Sequence, residues 1–264
     1  MTDGRLHIAV AGKGGSGKTT VAGTLARLLG RSGRRLVAVD ADTNPNLAAM
    51  LGFSADRAAQ VVALPRTLLA RDQQDDGTVK TRLARDPLDV ISEYAVSGPD
   101  NVRLVVMGAV NHAAAGCMCG AHATARNFVS ELIDKPDAPY DVLIDTEAGL
   151  EHFSRGTARH VSMVLAVVEP YYRSMETLRR IAYLARELGI GDVRAVVNKL
   201  RDGADTDTVR SFCQANGVSI AVEIPSDEAF AAAERAGQAA LDYAPHAPGV
   251  EAIRRLADRL LAPA

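Results

Sequence analysis

Cysteine is scarce in this chain. It has three, Cys117, Cys119 and Cys213, an odd number that argues against a disulfide framework and for a reducing compartment. Long apolar runs are missing as well: no stretch approaches the roughly 20 residues that a membrane-spanning helix needs. Neither sign of charge dominates, since 30 basic and 32 acidic residues leave a net charge of −2, which offers no global attraction to nucleic acid or anionic lipid. The opening Met1-Thr2-Asp3-Gly4-Arg5 leads straight into an apolar segment and lacks the successive regions of a signal peptide. These absences set the expectation of a cytoplasmic protein with no nucleic-acid and no membrane partner. There is no internal repeat, and no low-complexity segment beyond alanine-rich helix faces.

What is present suits a large core. With 264 residues, 47% of them hydrophobic and 23% charged, residues 1–264 can form one α/β domain without a split. Short branched apolar runs alternate with helical patterns, the signature of a three-layer, mostly parallel sheet flanked by helices. The expected strands are Leu6–Ala11, Arg35–Asp40, Val102–Met107, Val142–Asp145, Val161–Val168, Val193–Asn198 and Ser219–Ile224. Helices are expected over Lys18–Arg31, Asn46–Leu51, Thr124–Asp134, Met175–Leu188, Thr206–Asn216, Asp227–Ala236 and Val250–Leu261. Residues 54–101 are the least regular part and read as an excursion from the core fold, a small hairpin or a mobile loop.

The strongest motif follows the first strand: Gly12-Lys13-Gly14-Gly15-Ser16-Gly17-Lys18-Thr19-Thr20. It fits Gly-x4-Gly-Lys-Ser/Thr, a phosphate cradle. Its glycines let the backbone take positive φ and bring N–H groups close to phosphate oxygens. Lys18 reaches the β and γ phosphates, Thr19 can ligate Mg²⁺, and the following helix adds its positive dipole end. Ligands of an open α/β sheet belong at strand ends. There the sequence supplies Asp40-Ala41-Asp42-Thr43-Asn44-Pro45 after the second strand and Asp145-Thr146-Glu147-Ala148-Gly149 after the fourth. Either aspartate group can hold Mg²⁺ or orient an attacking water, because phosphoryl transfer needs positioning and charge neutralisation. Asp42 or Asn44 can equally cap a helix.

A second pattern is Gly116-Cys117-Met118-Cys119-Gly120-Ala121-His122. Thiols two residues apart point about 200° apart on a helix but share a face when extended. In a loop ahead of Thr124 they can act as a pincer. One chain supplies two thiolates, short of the four that a tetrahedral sulfur site prefers, and two copies across a two-fold axis supply four. Cys213, inside an expected helix, reads as core.

Lys13, just after the first glycine of the loop, resembles the deviant Walker A lysine of the MinD/ParA/ArsA/nitrogenase iron protein class of P-loop NTPases, the SIMIBI class. That resemblance implies a nucleotide-sandwiched homodimer in which Lys13 reaches the partner's phosphates. It assigns Asp42 to the attacking water, Asp40 and Asp145 with Thr19 to Mg²⁺, and the Gly149 N–H to the γ phosphate, whose loss would release Leu150–Arg155. It places Asn198, Lys199 and Pro225 at the base. A guanine site would want aspartate where Arg201 stands, so ATP is favoured. One departure is Thr43, where the class often has proline.

The deviant loop, Met107-Gly108 leading to Cys117-Met118-Cys119, and the run Glu147 to Thr157 together resemble the CooC-type nickel-insertion accessory ATPases of carbon monoxide dehydrogenase. That likeness runs from about Leu6 to Pro225. It implies that Cys117 and Cys119 of both subunits bind Ni²⁺ or Zn²⁺, with ATP closing the dimer and a metalloenzyme as client. His112 and His122 are extra donors that the family pattern does not require. Three alternatives stay open. An electron-transfer ATPase resembling nitrogenase iron protein would bridge subunits with a [4Fe–4S] cluster. A ParA/MinD-like partitioning ATPase would need a basic face or a membrane-binding tail, whereas Val250–Leu261 reads as a packed surface helix. The third is a metallochaperone for another client.

Overall fold

The computed structural model describes residues 4–73, 75–108, 119–148, 159–201 and 203–262, with Cys119 as backbone only. Among the described residues ten strands run β1 His7–Gly12, β2 Leu36–Ala41, β3 Leu69–Gln73, β4 Val79–Leu83, β5 Val96–Ser97, β6 Val102–Val106, β7 Asp141–Thr146, β8 Met163–Val168, β9 Asp192–Leu200 and β10 Ser219–Pro225. Eight of them form one sheet in the order β10-β9-β8-β1-β7-β2-β6-β5. Every pairing in it is parallel except that of the edge ribbon β5 with β6. All seven expected strands are members.

Alternation along the central strands divides the core in two. Ala9 and Ala11 of β1 and Val37 and Val39 of β2 face one layer. Ile8, Val10, Leu36 and Ala38 face the other. The first layer is closed by helices Cys119–Asp134, Tyr172–Glu187 and Gly203–Ala215. The second is closed by α1, Lys18–Arg31, and by Pro248–Leu261, which buries Val250, Ile253 and Leu256 in the protein's own core. Among the described residues no helix is long and apolar enough to cross a membrane.

Residues 54–101 are more regular than their composition suggests. Ser54 caps a helical turn, Ala55–Ala58. Asp86 caps Pro87–Tyr94 by accepting the Leu88 N–H at 2.8 Å, with proline at the first position, the position where its missing N–H costs nothing. β3 and β4 form an antiparallel hairpin that clasps helix Cys119–Asp134. Asn127 donates to Thr81 Oγ1 at 3.0 Å, and the Leu83 N–H donates to Glu131 at 2.6 Å.

Three helices begin three or more residues earlier than expected: those expected from Met175 and Thr206 start at Tyr172 and Gly203, and the largest shift is at Thr124. The helix expected from Thr124 begins at Cys119, so the Cys-x-Cys pair is not wholly in an extended segment. The physical reason is local packing: the Arg66 stem lies so close to Gly120 that an added Cβ would meet its Cδ at 2.9 Å. Glycine at this place, which read as loop punctuation, permits that contact.

Candidate functional site

The site is built where β1 ends in the middle of the sheet. β7 flanks β1 on one side with Val10 opposite Asp145, and β8 flanks it on the other with Gly12 opposite Val167. The loop leaving β1 needs its glycines. Gly12 has φ 153° and Gly17 φ 96°; an added Cβ would strike the Val167 carbonyl at the first and the Asn198 amide at the second. Gly17 delivers the chain into α1 without a side-chain cap, so that helix's first N–H groups stay available to an anion.

Lys18 is buried, and its ammonium lies 3.4 Å from the Lys13 carbonyl. Burial lowers its pKa, against the pull of Asp145, Asp42 and Glu147. Asp145 and Asp40 are shifted in the opposite sense. Asp40 and Asp145 are register partners on β2 and β7. Burial pushes Asp145 up to about 8, with Asp40 adding to the rise and the Thr19 hydroxyl opposing it. Burial likewise raises Asp40 to about 6, although it accepts backbone N–H groups from Leu47 at 2.9 Å and Asp42 at 3.2 Å. Asp145 Oδ1 and Ser16 Oγ are buried with no hydrogen-bond partner among the described residues. A buried, unpartnered carboxylate oxygen facing a second carboxylate fits a divalent cation. Asp42 is less buried; it accepts the Asn44 N–H at 2.8 Å. Thr43 ties this loop to β7 by donating to Glu147 at 2.9 Å.

On the other side of the loop, a cavity of about 450 Å³ is lined by Thr20, Met50, Asn198, Lys199, Pro225 and Phe230 among others. Its size suits a nucleoside-sized ligand. Asn198 turns toward the loop, donating to the Ser16 carbonyl at 2.8 Å and accepting the Lys199 N–H at 2.9 Å. Lys199 donates to the Gly15 carbonyl at 2.6 Å.

The structure therefore brings Gly12, Lys13, Gly14, Gly15, Ser16, Gly17, Lys18, Thr19 and Thr20 together with Asp40, Asp42, Asp145, Asn198, Lys199 and Pro225. Gly149 and the Leu150–Arg155 segment lie outside the described residues, as do Cys117 and His112, and of Cys119 only the backbone is described. His122 is buried on the helix that Cys119 opens. Among the described residues no group of three or more metal-donor side chains is found. Cys213 is buried, and burial pushes its thiol up to about 11.

Sequence reasoning missed Glu169 and Tyr171, which stand just beyond β8. Lys199 meets Glu169 at 2.9 Å and Tyr171 donates to it at 2.8 Å. Their signal was topological: only the pairing of β8 beside β1 brings that strand end level with the phosphate loop.

The model of the CobQ/CobB/MinD/ParA nucleotide binding domain matches residues 7–240. The carbon monoxide dehydrogenase accessory protein CooC of Rhodospirillum rubrum is 38% identical over 243 residues, 91% of each chain. An uncharacterized ATP-binding protein of Methanocaldococcus jannaschii is 33% identical over 238 residues, covering 88% of this chain and 90% of its own. Among solved structures, the MinD cell division protein of Aquifex aeolicus superposes with a TM-score of 0.70 at 19% identity over 98% of both chains, a likeness of fold.

Proposed function

The chain belongs to the CobQ/CobB/MinD/ParA nucleotide-binding family of P-loop ATPases, within its CooC group, and from that premise we propose that it is a dimeric, ATP-driven metallochaperone. It works as a single ATPase domain that carries Ni²⁺ or Zn²⁺ on Cys117 and Cys119 of two subunits. Its client is a metalloenzyme, carbon monoxide dehydrogenase, and its task is nickel insertion. The observation that carries this reading is the Cys-x-Cys pair in a chain 38% identical to a protein named as a carbon monoxide dehydrogenase accessory protein.

The loop N–H groups and the start of α1 bind the phosphates, and Lys18, whose ammonium burial has stripped of water, regains solvation from them. Thr19 and Asp145 would hold Mg²⁺, with Asp40 behind them, and the ion would supply neutralisation of the charge that develops on the phosphates. Asp42 orients the attacking water. Lys13 reaches across the two-fold axis, Gly149 reads the γ phosphate, and Asn198, Lys199 and Pro225 border the adenine. Four thiolates suit either metal, whose identity then follows geometry and supply.

Nucleotide and metal favour the same closed dimer, so each tightens binding of the other by the same factor. Metal affinity measured anaerobically by competition with a chromophoric chelator should rise at least about fivefold with a non-hydrolysable ATP analogue. Identical affinity with and without the analogue would sink the mechanism. An anaerobically purified protein carrying a brown [4Fe–4S] chromophore would replace this reading with an electron-transfer ATPase.

A further inference from the structure

Glu169 is a buried carboxylate, only 8% exposed, that the phosphate cradle does not use. Two residues before it, Val167 lies opposite Gly12 on β1, which sets Glu169 just past the end of β8, beside the point where β1 passes into the loop. Its backbone is fixed, because its N–H donates to Ser174 Oγ at 3.0 Å. Both carboxylate oxygens are engaged: Oε1 meets Lys199 Nζ at 2.9 Å and Oε2 accepts the Tyr171 hydroxyl at 2.8 Å.

Each partner passes the connection to the loop. Lys199 donates from the same ammonium to the Gly15 carbonyl at 2.6 Å, and it does so from a left-handed backbone, φ 59°, a conformation uncommon for a residue with a Cβ. The ring of Tyr171 carries the Lys13 ammonium 5.6 Å from its centroid, within cation–π range. Asn198 grips the next carbonyl, that of Ser16.

We propose that Glu169 is a positioning residue for ATP binding and hydrolysis: one carboxylate fixes the two side chains, Lys199 and Tyr171, that set the outer side of the phosphate loop and the resting place of Lys13. A concave nest of N–H groups binds anions only while its peptide planes stay turned, and a carbonyl pinned outward keeps its plane turned. Without Glu169 the Lys199 ammonium retains only a neutral carbonyl, and the Tyr171 hydroxyl loses its acceptor. The proposal requires nucleotide binding at the loop, and neither metal transfer nor a client.

The two arms separate kinetically. The Lys199 arm acts on loop backbone that meets ADP and ATP alike, so Lys199→Met should weaken fluorescent Mg-ADP binding and raise KM by about 5- to 30-fold, with kcat within about threefold. Lys199→Arg should recover part of the loss. Tyr171→Phe keeps the ring beneath Lys13, whereas Tyr171→Leu removes it, so only the leucine variant should lower kcat while Mg-ADP affinity holds. Glu169→Gln should reproduce the affinity loss of Lys199→Met, and the double variant should lose little more than either single one. Glu223→Gln, which breaks the pair with Arg210 at the sheet edge, is the control. Lys199 is half exposed on its side chain, so its variants report even where Glu169→Gln melts early. The proposal is overturned if Glu169→Gln and Lys199→Met leave Mg-ADP affinity and KM within twofold of the control, or if their losses add.

Discussion

Replacing Asp145 by asparagine should make the nucleotide-free protein more stable while abolishing hydrolysis. In the native state burial, with Asp40 alongside, raises Asp145 from 3.8 to about 8. The native carboxyl therefore holds a proton between about pH 4 and pH 8 that the unfolded chain releases, so stability falls as pH rises through that window and levels off above it. At pH 7 the cost is at most of order 4 kcal/mol, from about three pKa units at 1.36 kcal/mol each. Asparagine carries no charge to bury but brings an amide that must find acceptors, at about 1–3 kcal/mol if it does not. A net gain of about 1–3 kcal/mol remains, which at 2–4 °C per kcal/mol raises Tm by several degrees. The assay is thermal unfolding from pH 5 to 8.5 in chelator, without nucleotide, beside ATP hydrolysis with Mg²⁺. The parent Tm should decline with pH, and the Asp145→Asn profile should lie higher and flatter, with hydrolysis down at least about 100-fold. A variant Tm at or below the parent's with a parallel pH slope would refute the reasoning, because it would mean that Asp145 carries no native-state penalty for a cation to relieve.

Gly17→Ala forces a Cβ onto a backbone at φ 96° and against the Asn198 amide; Mg-ADP affinity, read by fluorescence titration, should fall at least about tenfold. Arg27 is buried against Asp100 at 2.8 Å and Asp242 at 2.5 Å. Arg27→Leu should cost about 1–2 kcal/mol in denaturant unfolding, the loss of two charge-assisted hydrogen bonds, because Arg31 stays within 3.9 Å of both aspartates. Cys213 has its thiol raised to about 11 by burial, so mass spectrometry of native, metal-free protein treated with iodoacetamide at pH 7.5 should find labels on Cys117 and Cys119 and not on Cys213.

The parallel core was legible because buried strands announce themselves as short branched apolar runs: Leu104 and Val105 of β6 and Leu143 and Ile144 of β7 are fully enclosed. Their order in space was not, since parallel strands are joined through helices and nothing local says that β8 and β7 flank β1. That gap hid Glu169, whose role follows from which strand lies beside the loop. β5 has only two residues and lies at the sheet edge, too short to show a period. The Pro87–Tyr94 helix carried an Asp-Pro start signal, masked by its polar surroundings. The glycine-rich turn between β1 and α1 was legible, because the positive φ at Gly12, Gly15 and Gly17 constrains the residue types themselves. The early start of helix Cys119–Asp134 was not, because the packing of Arg66 on Gly120 joins segments more than fifty positions apart.

The central claim is that nucleotide, bound at the phosphate loop, and metal, bound by the cysteine pair, act through one closed dimer. It is tested most directly by light scattering on anaerobic, reduced protein with and without Mg-ATP and Ni²⁺ or Zn²⁺, in parallel with Cys117→Ala/Cys119→Ala. The account predicts that metal or nucleotide doubles the mass of the parent, and that the double variant loses the metal response while keeping the nucleotide response. A variant that dimerises with metal as the parent does would contradict it, and would leave an ATPase whose cysteine pair has no part in its switch.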